Sequence, residues 1–428
     1  MPLPQDPRQF LEALFDAAIR AADPVHCLPP HLPPPPKGRT IVVGAGKAAA
    51  AMARAVEVNW PGPLEGLVVT RYGHGVATES VEVVEAAHPV PDQKGLDAAR
   101  RIVERVSGLG PDDLVLCLIS GGGSALLTMP GAGRGPDGDV VLTLDDKQAI
   151  NRELLRCGAP IDEMNTVRKH LSAIKGGRLA LAAHPARVVT LAISDVPGDN
   201  PAVIASGPTV PDATTTADAR AVLAKYAIEP SRQIAAFLET EAAETAKADD
   251  PRMTNAAFHM IARPQASLDA AAEVCRQAGI VPVILGDAIE GEAREVASEQ
   301  ARIALARKDG ADPVALISGG ETTVTVRGSG RGGRNAEFLL ALAIALDGDK
   351  RIHAIACDTD GIDGSQDNAG AYVGPDSLER ARQLSLDPAA LLADNDGYGF
   401  FESVDGLVKT GPTLTNVNDF RAILVMPD

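Results

Sequence analysis

The sequence predicts an α/β protein built largely on parallel sheets, and three observations predict it. Short apolar runs at 40–43, 66–70, 82–86, 114–119, 188–193, 281–285, 314–318 and 352–356 alternate with helical patterns such as 47–58, 93–106, 166–182, 290–306 and 335–346. That alternation is the mark of strand–helix–strand units. The composition, 45% apolar and 23% charged with 3% aromatic, is that of an ordinary globular core made of Ala, Val, Leu and Ile. The length of 428 residues accommodates two or three domains at about 100–200 residues each.

Taken in order, residues 7–22 form an amphipathic helix, with Phe10, Leu11, Leu14, Phe15 and Ile19 on one face. PPHLPPPPKG (29–38) is a stiff polyproline spacer. The regular alternation begins at Thr40. GAGRGPDGD (131–139) reads as a mobile excursion. ETEAAETAKADDPR (239–252) is polar and low in complexity, so it is taken as a linker between domains at 1–238 and 253–428. CLISGGGSALL (117–127) and ALISGGETTV (315–324) echo one another, each a strand running into Ser-Gly-Gly. Two domains using one kind of turn, or chance, account for the echo.

Bulk properties exclude several functions. A net charge of −17 repels nucleic acid and anionic lipid. It also makes local basic clusters informative, because an anionic substrate needs one. The five cysteines, Cys27, Cys117, Cys157, Cys275 and Cys357, are scattered without a C-x-x-C pair, which points to a reducing compartment and no zinc. Cys117 and Cys357 fall in apolar strands and read as buried thiols. No apolar run approaches the ~18 residues of a membrane span. The first residues are not a basic-then-apolar signal. The expectation is a cytoplasmic enzyme, its oligomeric state open, a homodimer included.

Chemistry concentrates in Gly-rich turns. In IVVGAGKAAAAMARAVE (41–57) a strand runs through Gly44-x-Gly46-x-x-Ala49 into a helix, a geometry that points backbone N–H groups and the helix dipole at an anion. A dinucleotide site wants an acid at the end of the second strand, where this chain has Thr70 and Arg71. That disfavours NAD and leaves NADP open. A P-loop fails, because Ala48 stands where Ser or Thr is required. Lys47 reads as a solvated lysine or as a point charge for a transferring phosphoryl group. SGGGSALL, with Ser120, Gly121, Gly122, Gly123 and Ser124, is either a close backbone approach to a ligand or a tight turn. SGGETTVTVRGSGRGGRNAEF (318–338) interleaves glycines, Gly319 and Gly320 among them, with Arg327, Arg331 and Arg334. Flexible backbone with guanidinium suits polyphosphate.

Acidic groups follow other strands. Asp195, in SDVPGDN, is a candidate base or Mg²⁺ ligand, or an Asx turn. Asp358, Asp360 and Asp363 form a possible Mg²⁺-nucleotide cluster or a solvated acidic turn. NTVRKHLSAIKGGRLA (165–180) is read as one helix carrying Arg168, Ser172 and Lys175 on a cationic face. His88 in AAHPVPD is read as a turn cap. Nothing follows Ser-His-Asp hydrolase order.

Seven segments, GAGKAAAAMA (44–53), HPVPDQKG (88–95), SGGGSALL (120–127), NTVRKHLSAIKGG (165–177), SDVPGDNPAVIASGPT (194–209), SGGETTVTVRGSGRGGRNAEF (318–338) and DTDGIDG (358–364), together resemble the class II glycerate 2-kinase family. Its C-terminal part, at about 312–422 here, is the MOFRL domain. The resemblance implies a Rossmann-like N-terminal domain, a smaller C-terminal α/β domain, and an active site in the cleft between them. It implies ATP, Mg²⁺ and D-glycerate, with phosphoryl transfer to the 2-hydroxyl. It places the catalytic lysine at Lys47 and an important arginine at Arg334, with Arg327 and Glu321 beside the nucleotide. Asp195 is base or metal ligand, and Asp358 and Asp360 are further metal ligands. Some relatives carry a hydroxypyruvate-reductase label, so an NAD(P)H reading stays open.

Overall fold

The computed structural model describes residues 6–136 and 138–427. The chain divides into two compact units, Cys27–Ile261 and a second made from residues up to His26 together with Ala262 onward. The first helix, α1 (Pro7–Ala21), is capped by Asp6, whose carboxylate accepts from the Arg8 and Gln9 amides at 2.9 and 3.2 Å. Its buried face of Leu11, Leu14, Phe15 and Ala18 packs in one cluster with Leu268, Ala271 and Cys275. Ser267 Oγ donates to the Ala18 carbonyl at 2.8 Å. The N-terminal helix therefore belongs with the C-terminal half, which corrects a first domain counted from residue 1.

The first unit carries a six-stranded sheet of β1 (Thr40–Ala45), β2 (Glu65–Arg71), β3 (Val81–Ala86), β4 (Leu114–Ile119), β5 (Arg187–Ile193) and β6 (Ala256–Ala262). Their order is β3-β2-β1-β4-β5-β6, and every pairing from β3 to β5 is parallel. Helices α2 (Ala49–Asn59) and α3 (Gln93–Val106) cover it. The strand order reverses between β1 and β4. In open parallel sheets, ligands bind beyond the carboxyl ends of strands at such a switch point.

Three sequence expectations change here. Residues 239–252 are not a linker. Ala243 and Ala246 are buried, the Ala246 amide donates to the Gly176 carbonyl at 3.0 Å, and Arg178 grips the carbonyls of Ala242, Ala243 and Glu244. Residues 132–135 and 138–141 pair as an antiparallel hairpin. The helix expected over 166–182 breaks in two. It forms as α5 (Ile161–His170), then turns through Gly176 and Gly177 at φ 58° and 79° before a short helix at Arg178–Ala183. A Cβ on Gly177 would lie 2.6 Å from that of Ala246. Just before this stretch runs α4 (Leu144–Arg156), opened by a Thr143–Asp146 capping box.

In the second unit, β7 (Val281–Gly286), β8 (Val314–Gly320), β9 (Ile352–Asp358), β10 (Gly370–Val373), β11 (Leu407–Val408) and β12 (Asp419–Val425) lie in the order β11-β10-β9-β12-β8-β7. Only β7–β8 is parallel, so this sheet is mixed rather than mostly parallel. The fully buried β12 takes the slot between β8 and β9 and runs against both. Helices α6 (Pro264–Gln277), α7 (Ala293–Leu305) and α8 (Arg334–Leu346) complete the unit. Cys117, Cys275 and Cys357 are buried thiols, all pushed up by burial. Among the described residues no helix is long and apolar enough to cross a membrane.

Candidate active site

The turn after β1 is closed on itself. The amides of Gly46, Lys47 and Ala48 donate to the Val69 carbonyl, the Gly121 carbonyl and Ser120 Oγ at 3.1, 2.8 and 2.9 Å, and Ala49 donates to Gly46 at 3.1 Å. Four consecutive amides are thus committed within the protein, which corrects the expectation that Gly44 and Gly46 cradle an anion. These glycines serve close packing. A Cβ on Gly44 would lie 2.1 Å from the Leu118 carbonyl oxygen, and one on Gly46 2.1 Å from Ser120 Oγ. Helix α2 itself starts at Ala49, so Lys47 sits in the turn before it.

The turn after β4 forms a wall of a pocket. Gly122 adopts φ 78°, and a Cβ there would lie 3.0 Å from the His88 ring and 3.6 Å from Lys47 Cγ. Glycine is needed both for the left-handed conformation and for the space. Gly122, Gly123, Ser124 and His88 line a pocket of about 300 Å³ at the carboxyl ends of β4 and β5, together with Asp195 and the cations Lys147, Arg168 and Lys175. His88 thus faces the pocket rather than merely capping a turn. Lys47 adjoins the same turn, its Cγ 3.6 Å from where a Gly122 Cβ would lie.

The cations carry the electrostatics. Lys147 is 5% exposed and lies on the same buried face of α4 as Ile150 and Leu154. Its ammonium has no hydrogen-bond partner among the described residues. Burial, then the charges of Arg178 and Arg168, push it down to about 7. Lys175, 2% exposed, donates to the carbonyl and hydroxyl oxygens of Ser124, the latter at 2.9 Å. Burial, then Lys147 and Arg168, hold it well below the usual lysine range. Arg168 Nε donates to Asn151 Oδ1 at 2.9 Å, and burial lowers its pKa too. Ser124 Oγ lies 2.8 Å from Ser206 Oγ, which donates to Asn165 Oδ1 at 3.3 Å. A chain of hydroxyls and amide thus runs along the wall. Sequence reading found Arg168, Lys175, Ser124 and Asp195 but missed Lys147. Its signal was a lysine on the apolar stripe of a helix announced by a capping box.

The second Gly-rich segment is built differently. Consecutive amides from Arg327 to Arg331 donate to Asn395 Oδ1, to Asp394 and to Asp396, at 2.8 to 3.0 Å. The N-terminus of α8 is capped by Asp363, whose oxygens accept from the Asn335 and Ala336 amides at 3.0 and 2.9 Å. Gly333 is required there, since a Cβ would lie 2.2 Å from Asp363 Oδ1. Burial, against those two amides, pushes the Asp363 carboxyl up to about 6. Arg334 meets Asp419 at 2.8 Å, Asp358 at 2.7 Å and Glu321 at 3.0 Å. Burial opposes its charge, and Asp419, Asp358 and Glu321 more than offset that, so its pKa is raised. Gly319 and Gly320 present carbonyls to buried Arg421 at 3.3 Å each. In the expected polyphosphate segment the Gly319 and Gly320 carbonyls, Glu321 and the Arg327 amide are engaged by the protein's own groups, while Gly330, Gly332, Gly333 and Arg334 line a second pocket of about 260 Å³. Asp358 and Asp360 do not fit a metal. Asp358 holds Arg334 and the Asp360 amide, and Asp360 accepts from Ile362 at 2.9 Å. No group of three or more His, Cys, Asp or Glu among the described residues is arranged to hold one.

A largely parallel sheet with a cation-lined pocket at the carboxyl ends of β4 and β5, together with a second α/β unit, defines the chain as a two-unit α/β enzyme. Family models match residues 10–239 to a domain of unknown function, DUF4147, and residues 314–419 to the MOFRL family. The chain is 39% identical over 430 residues to the D-glycerate 2-kinase of Thermotoga maritima, covering 99% of each. It is 54% identical over 425 residues to a protein of Agrobacterium vitis named putative hydroxypyruvate reductase, covering 98% of this chain and 94% of the other. The solved structure of a glycerate kinase from Thermotoga maritima superposes with a TM-score of 0.87 at 38% identity, covering 99% of this chain and 100% of that one. The chain belongs to the glycerate 2-kinase family.

Proposed function

We propose that this enzyme transfers the terminal phosphoryl group of ATP to the 2-hydroxyl of D-glycerate, giving 2-phosphoglycerate and ADP. The carrying observation is the pocket at the carboxyl ends of β4 and β5, which is lined by three cations that make no ion pair among the described residues and by one carboxylate, Asp195, with Lys47 close to Gly122. Asp195, past the end of β5, accepts the proton of the attacking hydroxyl. Lys47 neutralises charge on the transferring phosphoryl, and positioning and charge neutralisation dominate this chemistry. Arg334 acts at one remove, holding the Gly-rich segment of the second unit through Asp419, Asp358 and Glu321. Mg²⁺ keeps several waters and takes one or two protein carboxylates beside substrate phosphates. Asp195 fits that limited role, and the ion's contribution is to neutralise charge on the phosphates it accompanies. The same reading makes the protein a cytoplasmic enzyme of small-molecule metabolism.

The name carried by the Agrobacterium vitis relative supports a second reading, NAD(P)H-dependent reduction of hydroxypyruvate. Against it, the four amides that would receive a dinucleotide pyrophosphate in the Gly44-x-Gly46 turn are donated within the protein. The test incubates the protein with Mg-ATP and D-glycerate, removes it, and adds enolase, which consumes 2-phosphoglycerate but not its 3-phospho isomer. An immediate enol-phosphate absorbance is the expected result. No ADP, with NADPH oxidised by hydroxypyruvate, would replace the kinase with the reductase.

A further inference from the structure

We propose that Lys147, Arg168 and Lys175 form a carboxylate-binding subsite, that Lys147 is the group that grips the ligand, and that the subsite selects small hydroxycarboxylates over their neutral counterparts. The inference deepens the kinase reading and takes its substrate class from it.

Pairing separates this cluster from the other buried cations. Lys169 meets Asp212 at 3.0 Å, Arg421 meets Asp419 at 3.0 Å, and Arg334 meets three carboxylates. Lys147, Arg168 and Lys175 make no ion pair among the described residues. A buried charge without a partner costs several kcal/mol, about as much as any single contact returns. Position 147 also lies on an apolar helix stripe, beside Ile150 and Leu154, where a leucine or methionine would pack at no such cost. A ligand that supplies the missing negative charge resolves the conflict.

The three cations divide the work. Lys175 is committed to Ser124 and fixes the Gly-rich wall. Arg168 is oriented by Asn151, which lies on α4 one turn beyond Lys147. Lys147 remains with its ammonium unpartnered at the pocket surface. The charged and titratable groups around it are Arg168 on α5, Lys175 and Arg178 after it, Asp195 after β5, and His88 after β3. Arg178 has Glu244 and Asp212 nearby, but among the residues lining the pocket three cations outnumber one carboxylate, so a monoanion improves the local balance and a neutral ligand leaves it unchanged. The volume of about 300 Å³ is at the small end for ligand pockets, suited to a three-carbon acid.

The test measures binding by calorimetry to the full-length protein without nucleotide, using D-glycerate and uncharged D-glyceramide. Wild type is expected to prefer the acid by at least ~10-fold, as charge-assisted hydrogen bonds exceed neutral ones. Lys147→Met should erase that preference while folding with an undiminished Tm. Arg168→Gln should reduce it. In the kinase assay, Lys147→Met should raise KM for glycerate at least ~10-fold and leave KM for ATP unchanged, a split that general structural damage would not give. Equal affinity of wild type for acid and amide, or an unchanged preference in Lys147→Met, overturns the subsite. If glycerate binds in a Lys147-dependent manner yet is never phosphorylated, the subsite stands and the kinase reading fails.

Discussion

The two units each gather buried cations behind a Ser-Gly-Gly turn and use them in opposite ways. In the second unit, Arg334 and Arg421 are matched by Asp419, Asp358 and Glu321, and the amides of the Gly-rich segment and the α8 N-terminus are taken by Asp363, Asp394, Asn395 and Asp396. In the first unit, Lys147, Arg168 and Lys175 have only neutral partners or none among the described residues. The same residue types thus build architecture where the chain supplies the counter-charge and a binding site where it withholds it. Glycine and arginine content does not distinguish the two cases; the partners do.

The sharpest way to break this contrast is Arg334→Met. It strips the shared cation from three carboxylates, and breaking a buried pair by removing one partner costs about 3–5 kcal/mol. Urea denaturation should show a loss of that order; a loss below ~1 kcal/mol would remove the architectural role. Next comes Lys47→Ala. It should lower kcat by about 100-fold or more, the scale of losing one group that stabilises transition-state charge. Its Tm should stay near wild type. Steady-state kinetics at saturating glycerate check this, and a change of less than severalfold ends the assignment. Third, Lys147→Met should stabilise the unliganded fold by about 1–3 kcal/mol, the cost of an unsatisfied buried polar group, while weakening glycerate binding. Denaturation with and without glycerate reads both signs in one experiment.

A further prediction concerns the pH dependence. Lys147 lies near 7 when folded, against 10.5 for an ordinary lysine. Between those values the unfolded chain binds the additional proton, so this group makes stability rise with pH from about 7 upward. Denaturation between pH 7 and 10 should show that rise in wild type and a shallower one in Lys147→Met. Saturating glycerate should flatten the wild-type curve, because a bound anion holds the ammonium charged.

Much of the framework was legible from local pattern. All eight expected strands form, with ends moved by no more than two residues, and helices at 7–21, 49–59, 93–106, 293–305 and 334–346 lie where periodicity put them. The failures share a cause. The helix over 166–182 was read through Gly176-Gly177 because its apolar spacing continues, yet tertiary packing against Ala246 requires the bend. The polar composition of 239–252 suggests a linker because it hides two buried alanines, Ala243 and Ala246, and backbone carbonyls gripped by a distant Arg178. Strand β12 was missed, along with the mixed sheet it creates, because its pairing partners are distant in the chain.

The sequence by itself determined the α/β class, the positions of most elements, the two Gly-rich turns and the residue types of the site. Those follow from hydrophobic period and backbone chemistry, which act over a few residues. Only the tertiary structure decided which cations are paired. Asp363, Asp394 and Asp419 reach Gly-rich backbone and arginines from 28 to 85 residues away. Among the described residues no carboxylate pairs with Lys147, and a charge pair depends on distance in space, which spacing along the chain does not specify.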